Sequence, residues 1–294
     1  MLDCLVIGAG PAGLVAALYL RRFRRAIRLV SLPGSRALKI ERSHNVPGFP
    51  RGISGRALLQ RLRQQLAMVD GTVVEAAVTR LQRSDEGFVA DLGGTSLAAR
   101  TVLLATGVED IEPALPGVDD LQRHGRLRHC PVCDGHEHLG WRIAVLGRGD
   151  HGAREALFLR RFSSHVVLFD MQADDPVPEA RQAQLERAGI IHVAAAPTAA
   201  HVGASGEVRL MLTDSAVHEA DVAYAALGCR PRSALAGELG AKLDERGSIV
   251  TDAHLSTCVP GLYAAGDVVS ALDQIAVAHG HAAIAATAIH NSLD

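Results

Sequence analysis

Short apolar runs, glycine turns and helical stretches alternate along the first third of the chain. Leu5–Ile7 is an apolar run typical of a strand buried on both faces of a parallel sheet. A helical run from Leu14 to Phe23 follows, and Ile27–Val30 supplies the next strand. This order predicts a βαβ unit with a right-handed crossover.

The same order returns near the middle of the chain. Trp141–Leu146 and Val166–Phe169 are predicted strands on either side of a predicted helix, Ala153–Phe162. Segment 109–125 is rich in acids, prolines and glycines, which is typical of a crossing between domains. Further strands are predicted at Thr72–Val74, Gly87–Asp91, Thr101–Ala105, Val222–Leu227 and Leu262–Asp267, and further helices at Ser54–Met68 and Gln274–Asn291.

These elements predict an α/β fold of two Rossmann-like, three-layer domains, with the second inserted into the first. The chain has 294 residues, 48% of them hydrophobic, and is long enough to bury two cores. We expect an outer, discontinuous domain over residues 1–110 and 240–294 and an inserted domain over residues 111–239.

Charge and composition narrow the class of protein. The formal net charge of −2 gives no general attraction to nucleic acid or to an anionic membrane. No apolar run approaches the ~20 residues that span a bilayer, and the chain begins with a strand-like segment, so we interpret it as cytoplasmic. Its five cysteines do not resemble a secreted disulfide framework. The one close pair, Cys130 and Cys133, is therefore a candidate for catalysis or metal binding.

The first glycine turn lies between a predicted strand and a predicted helix. Glycines at such a turn let the backbone approach a pyrophosphate, which the amides at the helix N-terminus bind. Its position near the start of the chain favours FAD. The next strand ends at Ser31, where an acidic residue would normally bind the adenosine ribose, and Ser31 can still accept one hydrogen bond. The predicted contacts are Gly8, Gly10, Pro11, Ala12, Gly13 and Ser31.

Cys130 and Cys133 are predicted to lie one turn apart at the start of a short helix. Pro131 suits the first helical position because its missing N–H costs nothing there, and the two sulfurs can then form a disulfide. The helix dipole and the neighbouring cations Arg128 or His129 would lower a thiol pKa, and the thiolate is the nucleophile in disulfide exchange.

Asp134 follows Cys133 directly. A buried carboxyl with a raised pKa can move the proton that accompanies thiol chemistry, whereas the alternative is a helix-start carboxylate stabilised by amides. A zinc site is a rival interpretation of the same segment, although no second Cys-x-x-Cys completes it and we predict no metal ligand. The candidate zinc ligands are His129, Cys130, Cys133, His136 and His138.

Several separated motifs match one family. They are the turn from Gly8 to Gly13, Asn45-Val46-Pro47-Gly48, Ala105-Thr106-Gly107, Cys130-Pro131-Val132-Cys133-Asp134-Gly135, the turn that starts at Gly147, and Gly261-Leu262-Tyr263-Ala264-Ala265-Gly266-Asp267 followed by Gln274-Ile275-Ala276. Over nearly its whole length the chain resembles the low-molecular-weight thioredoxin reductase family of FAD-containing disulfide oxidoreductases.

The resemblance implies roles for particular residues. Cys133 would face the flavin, and Cys130 would attack the substrate disulfide. The outer domain would bind FAD, the inserted domain would carry the dithiol, and two chains would form a homodimer. The implied flavin contacts are Asn45, Thr106, Gly107, Gly266, Asp267, Gln274, Ile275 and Ala276.

The second nucleotide turn departs most from that family. Gly147, Gly149 and Gly152 form it, and Asp170 ends the strand about 20 residues past the glycines. Relatives that use NADPH carry a basic cluster after this strand, whereas residues 170–176 read Asp-Met-Gln-Ala-Asp-Asp-Pro. Three carboxylates would repel a 2′-phosphate, and Asp170 can accept both hydroxyls of an unmodified ribose. We therefore expect NADH rather than NADPH, and the turn leaves open that neither binds.

The favoured function is a reductase in which a donor reduces FAD, FAD reduces the Cys130–Cys133 disulfide, and the dithiol reduces a protein disulfide such as that of thioredoxin. Two alternatives keep the flavin and the dithiol. In one, reduced ferredoxin is the donor; in the other, the protein oxidises a small-molecule dithiol to a disulfide and passes the electrons to oxygen. A third hypothesis is a non-enzymatic flavoprotein whose cysteines bind zinc.

Overall fold

The structure, a computed structural model, describes residues 1–293 and contains two compact units. Unit 1 comprises Met1–Glu109 and the segment from Arg230 onward, and unit 2 comprises Asp110–Cys229. Asp294, the last residue of the predicted outer domain, lies outside the described residues. Residues 230–239, which the sequence assigned to the inserted domain, pack in unit 1, because buried Ala236 and its apolar neighbours join the core of that unit.

The elements are numbered in chain order. The first part of unit 1 contains β1 (Leu2–Ile7), α1 (Pro11–Arg22), β2 (Ile27–Ser31), a 3-10 turn (Arg36–Lys39), α2 (Gly55–Ala67), β3 (Val73–Glu75), β4 (Arg80–Ser84), β5 (Gly87–Asp91) and β6 (Ser96–Leu104). Then come β7 (Val108–Asp110), α3 (Val118–Arg123), β8 (Leu127–Arg128), α4 (Pro131–Asp134), a 3-10 turn (Gly135–His138), β9 (Ile143–Gly147), α5 (Gly149–Leu159), β10 (Val166–Asp170), α6 (Glu179–Arg187), β11 (Ile191–Val193), β12 (Ala199–Val202), β13 (Val208–Met211), β14 (Val217–Ala220) and β15 (Val222–Ala226). The chain ends with β16 (Cys229–Pro231), α7 (Ala234–Glu238), β17 (Leu262–Ala264) and α8 (Ile275–Ser292).

Unit 1 is built on a sheet whose central strand is β1. Val6 pairs with Leu29 of β2 on one side and with Leu103 of β6 on the other, in parallel register. β17 extends the parallel part beside the C-terminal half of β6, and β4 and β5 add an antiparallel part beside its N-terminal half. The carboxyl ends of β1, β2, β6 and β17 therefore share one edge, where ligands of open α/β sheets bind.

Helices cover one face of this sheet. Apolar side chains of α1, α2 and α8 form a core with β1 and β6, while β5, β17 and segment 235–269 bury the opposite face. The hydroxyl of Ser54 accepts from the Ala57 amide and caps α2, which fits the preference for serine at this position.

Unit 2 contains a second parallel sheet in the order β11-β10-β9-β15-β8. α5 and α6 pack on one face, and the antiparallel sheet β12-β13-β14 packs on the other. The α/β class with two three-layer, parallel-sheet arrangements is confirmed. α6 was not predicted, because its sequence is mostly polar, and β12 to β14 were not predicted, because each has only four residues and lacks a long apolar period.

The helix after the second glycine turn differs from its predicted bounds. We expected Ala153–Phe162, whereas α5 runs from Gly149 to Leu159. Gly149 has a φ of +46°, so the left-handed residue that completes the turn is also the first residue of the helix. Among residues 1–293, no helix is long and apolar enough to cross a membrane.

Candidate functional site

The dithiol lies at the start of α4 in unit 2. Cys130 is the N-cap and Pro131 the first helical residue, and the Cys133 amide donates to the Cys130 carbonyl across 3.0 Å. The Cα atoms of the two cysteines are 5.3 Å apart and their sulfurs form a disulfide. Both cysteines are half-buried, and Val132 between them is 50% exposed. The predicted pairing is confirmed, and the disulfide is partly accessible.

Asp134, the last residue of α4, accepts a hydrogen bond from a buried tyrosine. The Tyr224 hydroxyl donates to Oδ1 of Asp134 across 2.7 Å, and Nε of Arg128 lies 3.6 Å from Oδ2. Burial raises the pKa of the Asp134 carboxyl above its usual value, and the Tyr224 bond and the Arg128 charge oppose that shift. Asp134 lies in the first turn of the four-residue helix α4, as the helix-start alternative expected, and its carboxyl accepts the Tyr224 hydroxyl.

Tyr224 connects Asp134 to a buried histidine. Tyr224 lies at the centre of β15 and is fully buried, and Nδ1 of His138 lies 2.7 Å from its hydroxyl oxygen. Burial lowers the pKa of His138 to about 4, so the ring is neutral at neutral pH. With Asp134 ionised, Tyr224 donates to the carboxylate and His138 donates to Tyr224. With Asp134 protonated, the same three groups can bond in the reverse order, with His138 as the final acceptor.

Both cations predicted to act on the thiols lie against carboxylates. Arg128 approaches Asp134, and Nε2 of His129 lies 2.9 Å from Oε2 of Glu112. Arg128 therefore shares its charge with Asp134, and less of its positive potential acts on Cys130.

The candidate zinc ligands of the rival interpretation are not brought together. The two cysteines are bonded to each other, His138 faces Tyr224, and His136 is exposed. Within the described part of the chain, the side chains close enough to hold one ion are Asp110, Glu112 and His129. The segment around the cysteines is therefore organised for a disulfide.

The first glycine turn connects β1 to α1. A Cβ on Gly8, whose φ is +105°, would lie 2.7 Å from the carbonyl carbon of Ala105, and a Cβ on Gly13 would collide with the Gly8 carbonyl oxygen. A Cβ on Gly10, the N-cap of α1, would meet only the Ser35 Oγ, at 3.5 Å. Two glycines are therefore required by packing, and the third leaves space beside the helix N-terminus.

Predicted flavin contacts from distant parts of unit 1 meet near the same sheet edge. Thr106 follows β6 and Asp267 follows β17, and these two strands are parallel neighbours. Nδ2 of Asn45 donates to Oε1 of Gln274 across 2.9 Å, and Nη1 of Arg36 lies 3.0 Å from Oδ2 of Asp267. Gln274 is the N-cap of α8, so Ile275 and Ala276 form the first turn of that helix.

The remaining predicted residues of unit 1 adopt specific backbone conformations. Gly107 and Gly266 have φ values of +68° and +78°, and the Thr106 hydroxyl donates to the Arg232 carbonyl across 2.7 Å. The Ser31 hydroxyl donates to the adjacent Leu32 carbonyl, so its oxygen still has acceptor capacity. An accessible helix N-terminus beside Gly10, together with the cationic Arg36, fits the pyrophosphate of FAD.

The second glycine turn is closely packed. A Cβ on Gly147 would lie 2.7 Å from the Gly152 Cα, and a Cβ on Gly149 would lie 2.7 Å from the Asp175 Cγ. Asp170 is 8% exposed, and its Oδ2 lies 3.0 Å from Nε2 of His192. Among the described residues, Oδ1 of Asp170 is buried without a hydrogen-bond partner. An orphaned carboxylate oxygen fits the hydroxyls of an unmodified ribose better than it fits a phosphate.

Sequence reasoning missed several residues of these sites. Tyr224 carried a signal, because a tyrosine within a run of small apolar residues needs a partner for its hydroxyl once buried. Arg36 and His192 gave no local signal, since each meets its carboxylate only after the chain has folded.

The chain was compared with protein families, with known proteins and with solved structures. The family model described as pyridine nucleotide-disulphide oxidoreductase matches residues 2–282. The thioredoxin reductase of Treponema pallidum is 29% identical over 99% of this chain and 97% of its own length. That of Bacillus subtilis is 28% identical over 99% and 95%. The crystal structure of thioredoxin reductase from Streptococcus pyogenes superposes with a TM-score of 0.89 and 26% identity, covering 100% of this chain and 98% of that one.

Proposed function

Because the chain belongs to the pyridine nucleotide-disulphide oxidoreductase family, we propose that it reduces the disulfide of a thioredoxin-like protein through Cys130 and Cys133. It is a flavin-dependent disulfide oxidoreductase similar to thioredoxin reductases. The disulfide at the start of α4 is the observation that carries the proposal, since it supplies a two-electron group on a partly accessible surface.

FAD would be held in unit 1. The Gly8–Gly13 turn and the N-terminus of α1 would bind its pyrophosphate, and Asn45, Thr106, Asp267 and Gln274 would surround the rest of the nucleotide. When bound, the flavin supplies two-electron exchange with a dithiol.

Asp134 would donate and accept the proton that accompanies reduction of the disulfide and attack by the thiol. Reduction of the disulfide consumes two electrons and two protons, and the thiol that attacks a substrate disulfide must lose its proton again. The raised pKa of Asp134 favours the protonated, donating form, and the Tyr224–His138 chain can satisfy the carboxyl in either state. We assign substrate attack to Cys130 and the flavin-facing role to Cys133.

The donor is proposed to be NADH rather than NADPH. The family uses FAD with NAD(P)H. In this chain the unpartnered Oδ1 of Asp170 supports ribose recognition, and residues 171–175 contain no cation to hold a 2′-phosphate. Two alternatives to this proposal are reduced ferredoxin as the donor and an oxidase that passes electrons from a small dithiol to oxygen. Assembly as a homodimer in the cytoplasm is a further part of the proposal.

Anaerobic reduction of the flavoprotein tests the donor and the dithiol together. NADH, NADPH and reduced ferredoxin are compared side by side, and thiols are counted after each reduction. We expect NADH to bleach the flavin and to yield two additional thiols, and a Cys133→Ser variant to yield none. Bleaching by dithionite without new thiols in the wild type would contradict the disulfide role. Hydrogen peroxide formed in proportion to an added small dithiol would instead indicate the oxidase.

A further inference from the structure

The second glycine turn already has an anion beside it. The Asp175 carboxylate lies against Gly149, the first residue of α5, close enough that a Cβ on that glycine would lie 2.7 Å from Cγ and 2.8 Å from Oδ2. Gly149 is buried beneath it. A dinucleotide places its pyrophosphate beside the helix N-terminus of such a turn.

The loop that carries Asp175 is anchored at both ends. The Met171 amide donates to the Gly147 carbonyl across 2.8 Å, and Val177 is 2% exposed in the core of unit 2. Between these points the Asp175 amide donates to the Gln172 carbonyl across 3.3 Å, which turns the chain back toward Gly149. The carboxylate is therefore directed to the turn by the fold of its own loop.

The other carboxylate of the turn is already neutralised. Asp150 lies 2.9 Å from Nε of Arg154 and 2.6 Å from Nε of Arg181. Asp175 forms no side-chain hydrogen bond or ion pair within residues 1–293. Its carboxylate lies beside Gly149, at the positive end of the α5 dipole.

From this arrangement we propose that Asp175 competes for the pyrophosphate position of the second turn, so that a dinucleotide binds only when this carboxylate is displaced. The inference rests on the proposed function, because it concerns the donor site of the same enzyme. Charge and space act in the same direction: a pyrophosphate would be repelled by Asp175 and would overlap it at Gly149. Asp175 thus limits affinity for NADH and NADPH alike.

Equilibrium binding of NADH to the oxidised holoenzyme tests this directly. Asp175→Ala removes the competitor, Asp175→Asn removes only its charge, and Asp174→Ala removes the neighbouring exposed carboxylate as a matched control. We expect Asp175→Ala to lower the NADH Kd about tenfold, Asp175→Asn to lower it by a smaller factor, and Asp174→Ala to change it less than about twofold. Lower affinity in the Asp175 variants, equal effects at positions 174 and 175, or no binding by any of the proteins would overturn the proposal.

Dithionite reduction separates this test from that of the proposed function. Transfer of electrons from the dithionite-reduced holoenzyme to a thioredoxin-like disulfide does not use the second turn. That transfer should be equal in the wild type and in Asp175→Ala. If it fails in both while NADH binds more tightly to Asp175→Ala, the role of Asp175 stands and the disulfide substrate is wrong.

Discussion

The Tyr224 hydroxyl donates to Oδ1 of Asp134 across 2.7 Å, although 90 positions of sequence separate the two residues. The bond joins the centre of β15 to the end of the helix that carries the dithiol. Since Tyr224 is fully buried, it places a fixed donor beside a carboxyl whose pKa burial raises. Desolvation therefore raises the pKa of Asp134, and the hydrogen bond from the Tyr224 hydroxyl lowers it.

Replacing Tyr224 by Phe should move the pH dependence of disulfide reduction. Because the lost donor stabilises ionised Asp134, the pKa of its carboxyl should rise further. If protonated Asp134 is the proton donor, the decline of kcat/KM at high pH should shift to higher pH. The measurement is the pH profile of electron transfer to a thioredoxin-like disulfide.

Tyr263→Phe is the matched control for this substitution. Tyr263 is also buried, at 6% exposure, and belongs to unit 1, whereas Asp134 and Tyr224 belong to unit 2. Loss of the Tyr263 hydroxyl should leave the pH profile of electron transfer unchanged. A profile that moves equally in both variants would remove Asp134 from the proton transfer.

His138 should make unit 2 less stable in mild acid. Burial lowers its pKa from 6.5 to about 4, so between these values the unfolded chain binds a proton that the folded chain does not. The stability contributed by the neutral ring is complete above pH 6.5 and is lost as the pH falls toward 4. At pH 4.5 the wild type should have lost about 2 kcal/mol more unfolding free energy than His138→Gln, relative to pH 7.

Urea unfolding at the two pH values measures this difference. His136→Gln is the control, because His136 is exposed on the same short turn. Its acid sensitivity should match that of the wild type. Equal losses in all three proteins would show that His138 is accessible to protons in the folded state.

The parts of the fold that were predicted are those in which burial leaves a local pattern. Segment 4–7 of β1 and the whole of β9 are buried on both faces and appear as unbroken apolar runs, and each is followed by a glycine turn and then a helix. The dithiol was equally local, because Cys130 and Cys133 are three positions apart and Pro131 marks the start of their helix.

The parts that were not predicted depend on contacts between residues that are far apart in the sequence. The hydrogen-bond and ion-pair partners of Asp134, Asp170 and Asp267 are set by how strands and loops pack, and no spacing along the chain predicts them. The acidic loop after β10 was expected to repel phosphate. That it folds back over Gly149 follows from its anchoring at Met171 and Val177, which only the folded chain shows.

Arg36 is expected to strengthen FAD binding. It lies 3.0 Å from Asp267 on the 3-10 turn after β2, and it is the cation that balances this carboxylate near the predicted pyrophosphate position. Without it, an anionic nucleotide meets an unpaired carboxylate. Arg36→Gln should weaken FAD binding about tenfold, measured by titrating the apoprotein with FAD.

Lys39→Gln provides the comparison, because it removes the same charge from the same 3-10 turn. It should change FAD affinity by less than about twofold, as expected for a charge without close contact to the ligand. Equal weakening in the two variants would mean that general positive potential, and not the pairing with Asp267, attracts the nucleotide.

Alanine at two glycines of the first turn should have different effects: Gly13→Ala should lower the stability of unit 1, and Gly10→Ala should prevent FAD binding. A Cβ on Gly13 collides with the Gly8 carbonyl oxygen, so Gly13→Ala should destabilise unit 1 by about 1–3 kcal/mol even with FAD in excess. A Cβ on Gly10 meets only the Ser35 Oγ at 3.5 Å, so Gly10→Ala should fold with a loss of about 0.5 kcal/mol. Its methyl group would nevertheless occupy the space beside the N-terminus of α1 that the pyrophosphate needs. The midpoint of urea unfolding and the flavin content per chain after gel filtration separate the two effects. Gly10→Ala should be stable and colourless. A stable, fully yellow Gly10→Ala protein would place the pyrophosphate elsewhere.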